Sequence, residues 1–243
     1  MLTLPAVGWS SPSIIRIVVD FPAPVRTKET GHHARPDVER EPVRGDGVPA
    51  RAAGMLGGSQ DQYAAAYGSV RRYVFRSDRC ESAIRLAAEG LDGALLVVRA
   101  NGSRRSSAVV AEVVDSYLRG RSTTRCAVAR LHELAPQIAV AVERGTTSEL
   151  ANLFGQVLAA QLDLHPSISD RSLLRFVELI RPIGDTGAKL LGAGGRGGSL
   201  LVVCPTDARQ AVSEAAARAG CSTLAVRFAE SGVRVRALEG TMA

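Results

Sequence analysis

The chain has 243 residues, 46% hydrophobic and 22% charged, which excludes a disordered polypeptide and provides for one large cored domain or two small ones. Its net charge is +6 and its isoelectric point about 9.6. A nucleic-acid surface gathers its charge on one face, but here only two lysines occur, Lys28 and Lys189, and the longest basic pairs are Arg71-Arg72 and Arg104-Arg105. The first fifty residues are the least regular. An apolar run over 14–19 predicts a strand. The stretch that follows to 53 mixes proline, glycine and charges of both signs with no period, the composition of an exposed or irregular segment. His32 and His33 fall inside it and read as solvated rather than as metal ligands.

The texture changes at Gly57. GGSQDQYAAAYG (57–68) reads as a glycine turn feeding a helix, with Ser59 and Gln62 at capping-box spacing. Residues 73–75 predict a short strand. LDGALLVVRA (91–100), set between Gly90 and Asn101-Gly102, predicts a buried one. Helical spacing of apolar residues then predicts four helices, over 106–118, 126–143, 148–162 and 170–181, whose stripes serve packing rather than chemistry.

The last stretch begins with six glycines in twelve residues, GAKLLGAGGRGG (187–198), directly before SLLVVCP. Such a run marks positive φ or a close backbone approach. Strands over 189–191 and 200–204 make it the turn of a hairpin. A helix over 207–219 follows, with Asp207 as N-cap, Gln210 three residues on and Gly220 as its stop. Strands over 223–228 and 233–238 close the chain around a turn at 230–232. The fold class is α+β, a helical middle followed by an antiparallel α/β sandwich.

Four cysteines (Cys80, Cys126, Cys204, Cys221) stand far apart with no CxxC pair, so neither a metal site nor a disulfide framework is predicted. Cys204, ending an apolar strand, reads as a small core residue. Reduced cysteines point to the cytoplasm. No apolar run reaches the roughly 18 residues of a membrane span, and the start lacks the basic region and long apolar stretch of a signal peptide.

The two glycine-marked segments together resemble signature segments of the GHMP small-molecule kinases, above all the sugar-kinase branch that includes galactokinase-like and D-glycero-D-manno-heptose 7-phosphate kinase-like enzymes. That branch has a G-x-QDQ-x-A-A-x-x-G segment, matched by Gly58 to Gly68, and a G-A-K-L-x-G-A-G-G-G-G run, matched over 187–197. RANGSRRSSAVVAEVV (99–114) is also similar to its T-G-x-S-R segment and helix. The likeness covers roughly 54–243. It implies a GHMP-kinase-like fold with an irregular 1–53, a remnant N-terminal domain over 54–100 and a C-terminal domain over 101–243. The activity it implies is phosphorylation of a sugar or sugar-phosphate hydroxyl by ATP with Mg²⁺. Asp61 would be the general base, with Gln60, Gln62 and Arg104 on the substrate. Gly192, Gly194, Gly195, Gly197 and Lys189 would face the phosphates. No protein-held metal, nucleic acid or membrane is implied.

Structural readings stand beside these roles. An acid in a first helical turn is stabilised by the helix dipole without any catalysis. Gly192–Gly198 can be a tight hairpin turn, and Lys189 a solvated strand lysine. Two departures matter. Arg196 replaces a family glycine, and Gly198 stands where a larger residue is common. No match to the family's P-x-x-x-G-L-G-S-S-S/A phosphate loop occurs over 1–56, which reads as a replaced, truncated or frameshifted N-terminus. Activity of this chain is therefore expected to be weak or absent, and the alternative is a non-catalytic module that binds sugar phosphates or a partner.

Overall fold

A computed structural model describes residues 14–16, 60–76, 79–102 and 106–233. Helix α1 (Gln60–Tyr67) runs into a three-stranded antiparallel sheet of β1 (Ile14–Arg16), β2 (Arg71–Arg76) and β3 (Arg79–Arg85) in the order β1-β2-β3. Tyr73 stands opposite Ile14 on one side and Ala83 on the other, and the β2–β3 register shifts at Val74/Phe75. Strand β2 extends the predicted 73–75. Strand β3, RCESAIR, was not foreseen: its charges at 79, 81 and 85 hide the period-two signal of an edge strand.

The rest of the chain is built on a second antiparallel sheet. Its strands are β4 (Leu95–Ala100), β5 (Gly187–Leu191), β6 (Ser199–Val203) and β7 (Cys221–Ala225), in the order β5-β6-β4-β7. With the helical middle between β4 and β5, and α6 (Arg209–Arg218) between β6 and β7, this is a β-α-β-β-α-β split arrangement. Strand β4, at the end of the 54–100 segment, hydrogen-bonds β6 and β7 throughout its length. Its partners therefore lie among the later residues.

Helices cover both faces of this sheet, which is why β4 and β6 read as continuous apolar runs. Leu95, Val97, Leu201 and Val203 face the hairpin of α3 (Ser122–Arg144) and α4 (Thr147–Leu164). Leu96, Val98, Leu200 and Val202 face α5 (Arg171–Ile180) and α6. Val97, Val98, Leu200 and Val202 are all fully buried, each burial being worth about 1.5–3 kcal/mol. Helix α2 (Ser106–Leu118) has the predicted bounds and sets Val109 into the second cluster. Pro136 falls inside α3, where it removes one rung of the backbone ladder without ending the helix.

Three local expectations are corrected. The strand predicted from 91 starts at Leu95, because Glu89–Leu91 forms a 3₁₀ turn and Ala94 N–H bonds the Leu91 carbonyl at 3.0 Å. Asp207 does not cap α6. Pro205 leads into a 3₁₀ turn over Thr206–Ala208, and the helix starts at Arg209 without a side-chain cap. Gln210 donates to Glu214 instead, at 2.8 Å. The strand predicted at 223–228 is β7, ending at Ala225, while Val226 and Phe228 pack on the first cluster. Of the strand predicted at 233–238, all but Val233 lies outside the described residues, as does Ser59.

Candidate functional site

Asp61 stands in the first turn of α1 and is exposed. The helix is held by its opposite side. Tyr63 and Ala64 are 5% and 2% exposed, and Tyr63, Tyr67 and Tyr73 form a ring cluster with centroids 6.2–6.3 Å apart. The Tyr73 hydroxyl donates to the Tyr63 carbonyl at 3.3 Å, and the Arg71 guanidinium lies 5.1 Å from the Tyr67 ring. The three rings and one cation thus dock α1 on β2 and turn Asp61 outward.

The far end of α1 is pinned by the C-terminal segment. Gly68 has φ +63°, and a Cβ there would overlap the Ser231 backbone, so only glycine fits. Ser69 donates its N–H to the Ala229 carbonyl at 2.6 Å and its hydroxyl to the Glu230 carbonyl at 2.9 Å. Val233 N–H reaches the Ala65 carbonyl at 2.9 Å. The Asp61 helix is therefore anchored by residues 160 or more positions away in sequence.

The glycine run forms the β5–β6 turn. Gly192, Gly194, Gly195 and Gly197 all have positive φ, between +60° and +80°. Their surroundings differ. A Cβ on Gly192 meets nothing within 4 Å, whereas one on Gly194 lies 2.9 Å from the Ile168 carbonyl oxygen. Three loop amides serve the fold: Gly195 N–H donates to Ile168 O at 2.8 Å, Gly197 N–H to Asp170 Oδ2 at 3.3 Å and Gly198 N–H to Gly195 O at 2.9 Å. The N–H groups of Ala193 and Arg196 have no protein acceptor among the described residues, whereas that of Gly194 closes the turn over 192–193. Arg196 is exposed and its side chain runs past Gly102, 3.7 Å from where a Cβ would be.

Lys189 turns away from this support. It stands opposite Leu201, on the α3–α4 side of the sheet, whereas Ile168 packs on the other side. Its ammonium lies 5.9 Å from the Phe154 ring and donates to the Leu190 carbonyl at 3.2 Å. Gln60 and Gln62 lie on α1, but their side chains fall outside the described residues, and so does Arg104. Asp61 lies on the helix that packs on the first sheet, and the glycine loop joins two strands of the second.

Among the described residues no group of three or more His, Cys, Asp or Glu side chains is placed to hold a metal ion, and no helix is long and apolar enough to cross a membrane. Cys126, Cys204 and Cys221 are free thiols. Burial raises the Cys204 thiol, Arg209 opposing and Asp207 adding to it; burial and then the Asp170 carboxylate raise Cys221. The contribution sequence reasoning missed is the 165–170 segment under the loop. Its only signal is HPSISD, a proline turn ahead of a good N-cap.

No family model and no curated protein matches the chain. Solved structures do. The Lin0012 protein from Listeria innocua superposes with a TM-score of 0.69 at 13% identity, covering 83% of this chain and 62% of that one. The mevalonate kinase of L. major in complex with R-mevalonate gives 0.57 at 20%, covering 72% and 54%. The galactokinase of Lactococcus lactis complexed with galactose gives 0.56 at 15%, covering 77% and 58%. The chain thus spans between 54% and 62% of the length of these three relatives. By fold it is a GHMP-kinase-like α+β protein. Of the two glycine-marked segments that suggested this fold, Gln60–Tyr67 of the first forms α1, and the second runs from β5 through the β5–β6 turn.

Proposed function

We propose that the chain is a kinase of GHMP type, which transfers the γ-phosphoryl group of ATP to a hydroxyl of a sugar or sugar phosphate and releases ADP. The observation that carries this reading is the exposed Asp61 on the first turn of α1, in the fold of galactokinase and mevalonate kinase. Phosphoryl transfer asks the protein for position and charge rather than covalent chemistry. Asp61 orients the acceptor hydroxyl and takes its proton as the oxygen attacks. The amides of Ala193 and Arg196 donate to phosphoryl oxygens, as backbone amides do in anion-binding turns. Mg²⁺ supplies neutralisation of the phosphate charge. With no carboxylate cage among the described residues, the ion would come with the nucleotide, as Mg²⁺ commonly does. To reach a phosphate, Lys189 would have to leave the Leu190 carbonyl and the Phe154 ring that its ammonium now engages.

The test is calorimetric titration with a non-hydrolysable ATP analogue and Mg²⁺, followed by ADP release over a panel of sugars and sugar phosphates. Saturable one-site binding is expected, with turnover below the roughly 1–100 per second typical of kinases, because 1–56 offers no phosphate-loop match. Asp61→Asn should reduce that turnover by about 10²-fold or more and leave nucleotide binding intact. A folded protein that binds no nucleotide, or an Asp61→Asn variant that turns over normally, overturns the reading. The engaged amides of Gly195, Gly197 and Gly198 favour a second reading, a non-catalytic module. It would bind sugar phosphates in the same titration and leave nucleotide free.

A further inference from the structure

Asp170 uses its two carboxylate oxygens on two different structures. Oδ1 accepts from the Ser172 and Leu173 amides at 2.9 and 3.1 Å, the N-cap of α5. Oδ2 accepts from Gly197 N–H at 3.3 Å, inside the glycine loop. Two residues earlier the Ile168 carbonyl accepts from Gly195 N–H at 2.8 Å. Ile168 is 4% exposed and set into the second cluster, so its carbonyl is a fixed point.

The turn that carries Ile168 is itself fastened. His165 Nδ1 accepts from Ser167 N–H at 3.2 Å, Ile168 N–H bonds the His165 carbonyl at 3.1 Å, and the Thr124 hydroxyl of α3 bonds the Leu164 carbonyl at 2.9 Å. A helix cap needs only one of the two oxygens that Asp170 presents, and serine or asparagine would serve as well. The second oxygen has the glycine loop as its sole protein partner among the described residues.

We propose that Asp170 is a positioning residue for the glycine loop. Together with the Ile168 carbonyl it fixes two alternate amides, Gly195 and Gly197, so that the Arg196 amide between them is presented to a phosphoryl group. The ligand assignment rests on the kinase reading above; the clamp itself does not. A loop with four positive-φ glycines is costly to order, and two acceptors on one rigid segment supply that order before a ligand arrives.

Asn and Ser at position 170 separate the two jobs, since each retains one cap acceptor and gives up the second carboxylate oxygen. Asp170→Asn and Asp170→Ser should melt close to the wild-type temperature. Amide hydrogen exchange of the full chain, read without ligand over 194–198, should accelerate about tenfold in both, and the ATP analogue with Mg²⁺ should bind about tenfold more weakly. Unchanged exchange at 194–198 in both variants overturns the clamp, whatever the nucleotide does. Accelerated exchange in a protein whose wild type binds no analogue supports the clamp and overturns the kinase reading alone. Asp170→Ala, which also loses the cap, should add a drop in melting temperature that the other two do not show.

Discussion

Gly192 and Gly194 share a positive φ, +60° and +65°, but not an environment. Alanine at either position pays for the left-handed backbone, about 1–2 kcal/mol. At Gly192 nothing further is met within 4 Å. At Gly194 the new methyl would lie 2.9 Å from the Ile168 carbonyl oxygen, 3.1 Å from Ile168 Cγ2 and 3.2 Å from Leu190 Cδ1. The first of these is a backbone atom that also holds Gly195, so it cannot swing aside as a side-chain end would. Overpacking of this kind costs a further 1–3 kcal/mol or so. A chain of this length loses about 2–4 °C of melting temperature per kcal/mol. Gly194→Ala should therefore melt about 2–12 °C below Gly192→Ala, with a matching gap in urea midpoints at constant m. Gly192→Ala should weaken binding of the nucleotide analogue with little further loss of stability, because its methyl points into open space. Equal melting temperatures for the two variants would refute the claim that Ile168 packs against the loop.

Two further outcomes follow from the same structure. Gly68→Ala combines a positive φ with overlap onto the Ser231 backbone and should cost about 2–4 kcal/mol. Exchange of the Ser69 and Val233 amides should rise, since both bonds close that contact; unchanged exchange there would show that the C-terminal segment does not anchor α1. Cys204 is fully buried, and burial raises its thiol above the ordinary value of 9.0. The unfolded thiol releases its proton first, so the stability from this group is complete below about pH 9 and falls as pH rises through the folded value. Urea midpoints of wild type should drop more steeply above about pH 9 than those of Cys204→Ala, and parallel slopes would count against it.

The sequence alone determined the elements whose pattern is local. The helical middle is legible because Leu134, Ile138 and Val142, or Leu150, Phe154 and Val157, recur at the helical period and end up buried together. The β5–β6 hairpin is legible because glycine is the residue that tolerates the turn its four positive-φ positions require. Asp61 is legible by resemblance and by its place in a first helical turn. Tertiary structure decided what depends on residues far apart. Strand β3 forms because β2 lies beside it, although its own charges conceal the pattern. Strand β4 sits between β6 and β7, partners more than 90 residues later. Gly68 must be glycine because Ser231 passes over it, and Asp207 is no cap because Pro205 starts a tighter turn first. Asp170 reads as the start of a helix, and nothing local reveals that its second oxygen holds Gly197. Periodicity and capping are written within a turn or two of chain, whereas a hydrogen bond across 27 positions exists only once the sheet and its helices have packed.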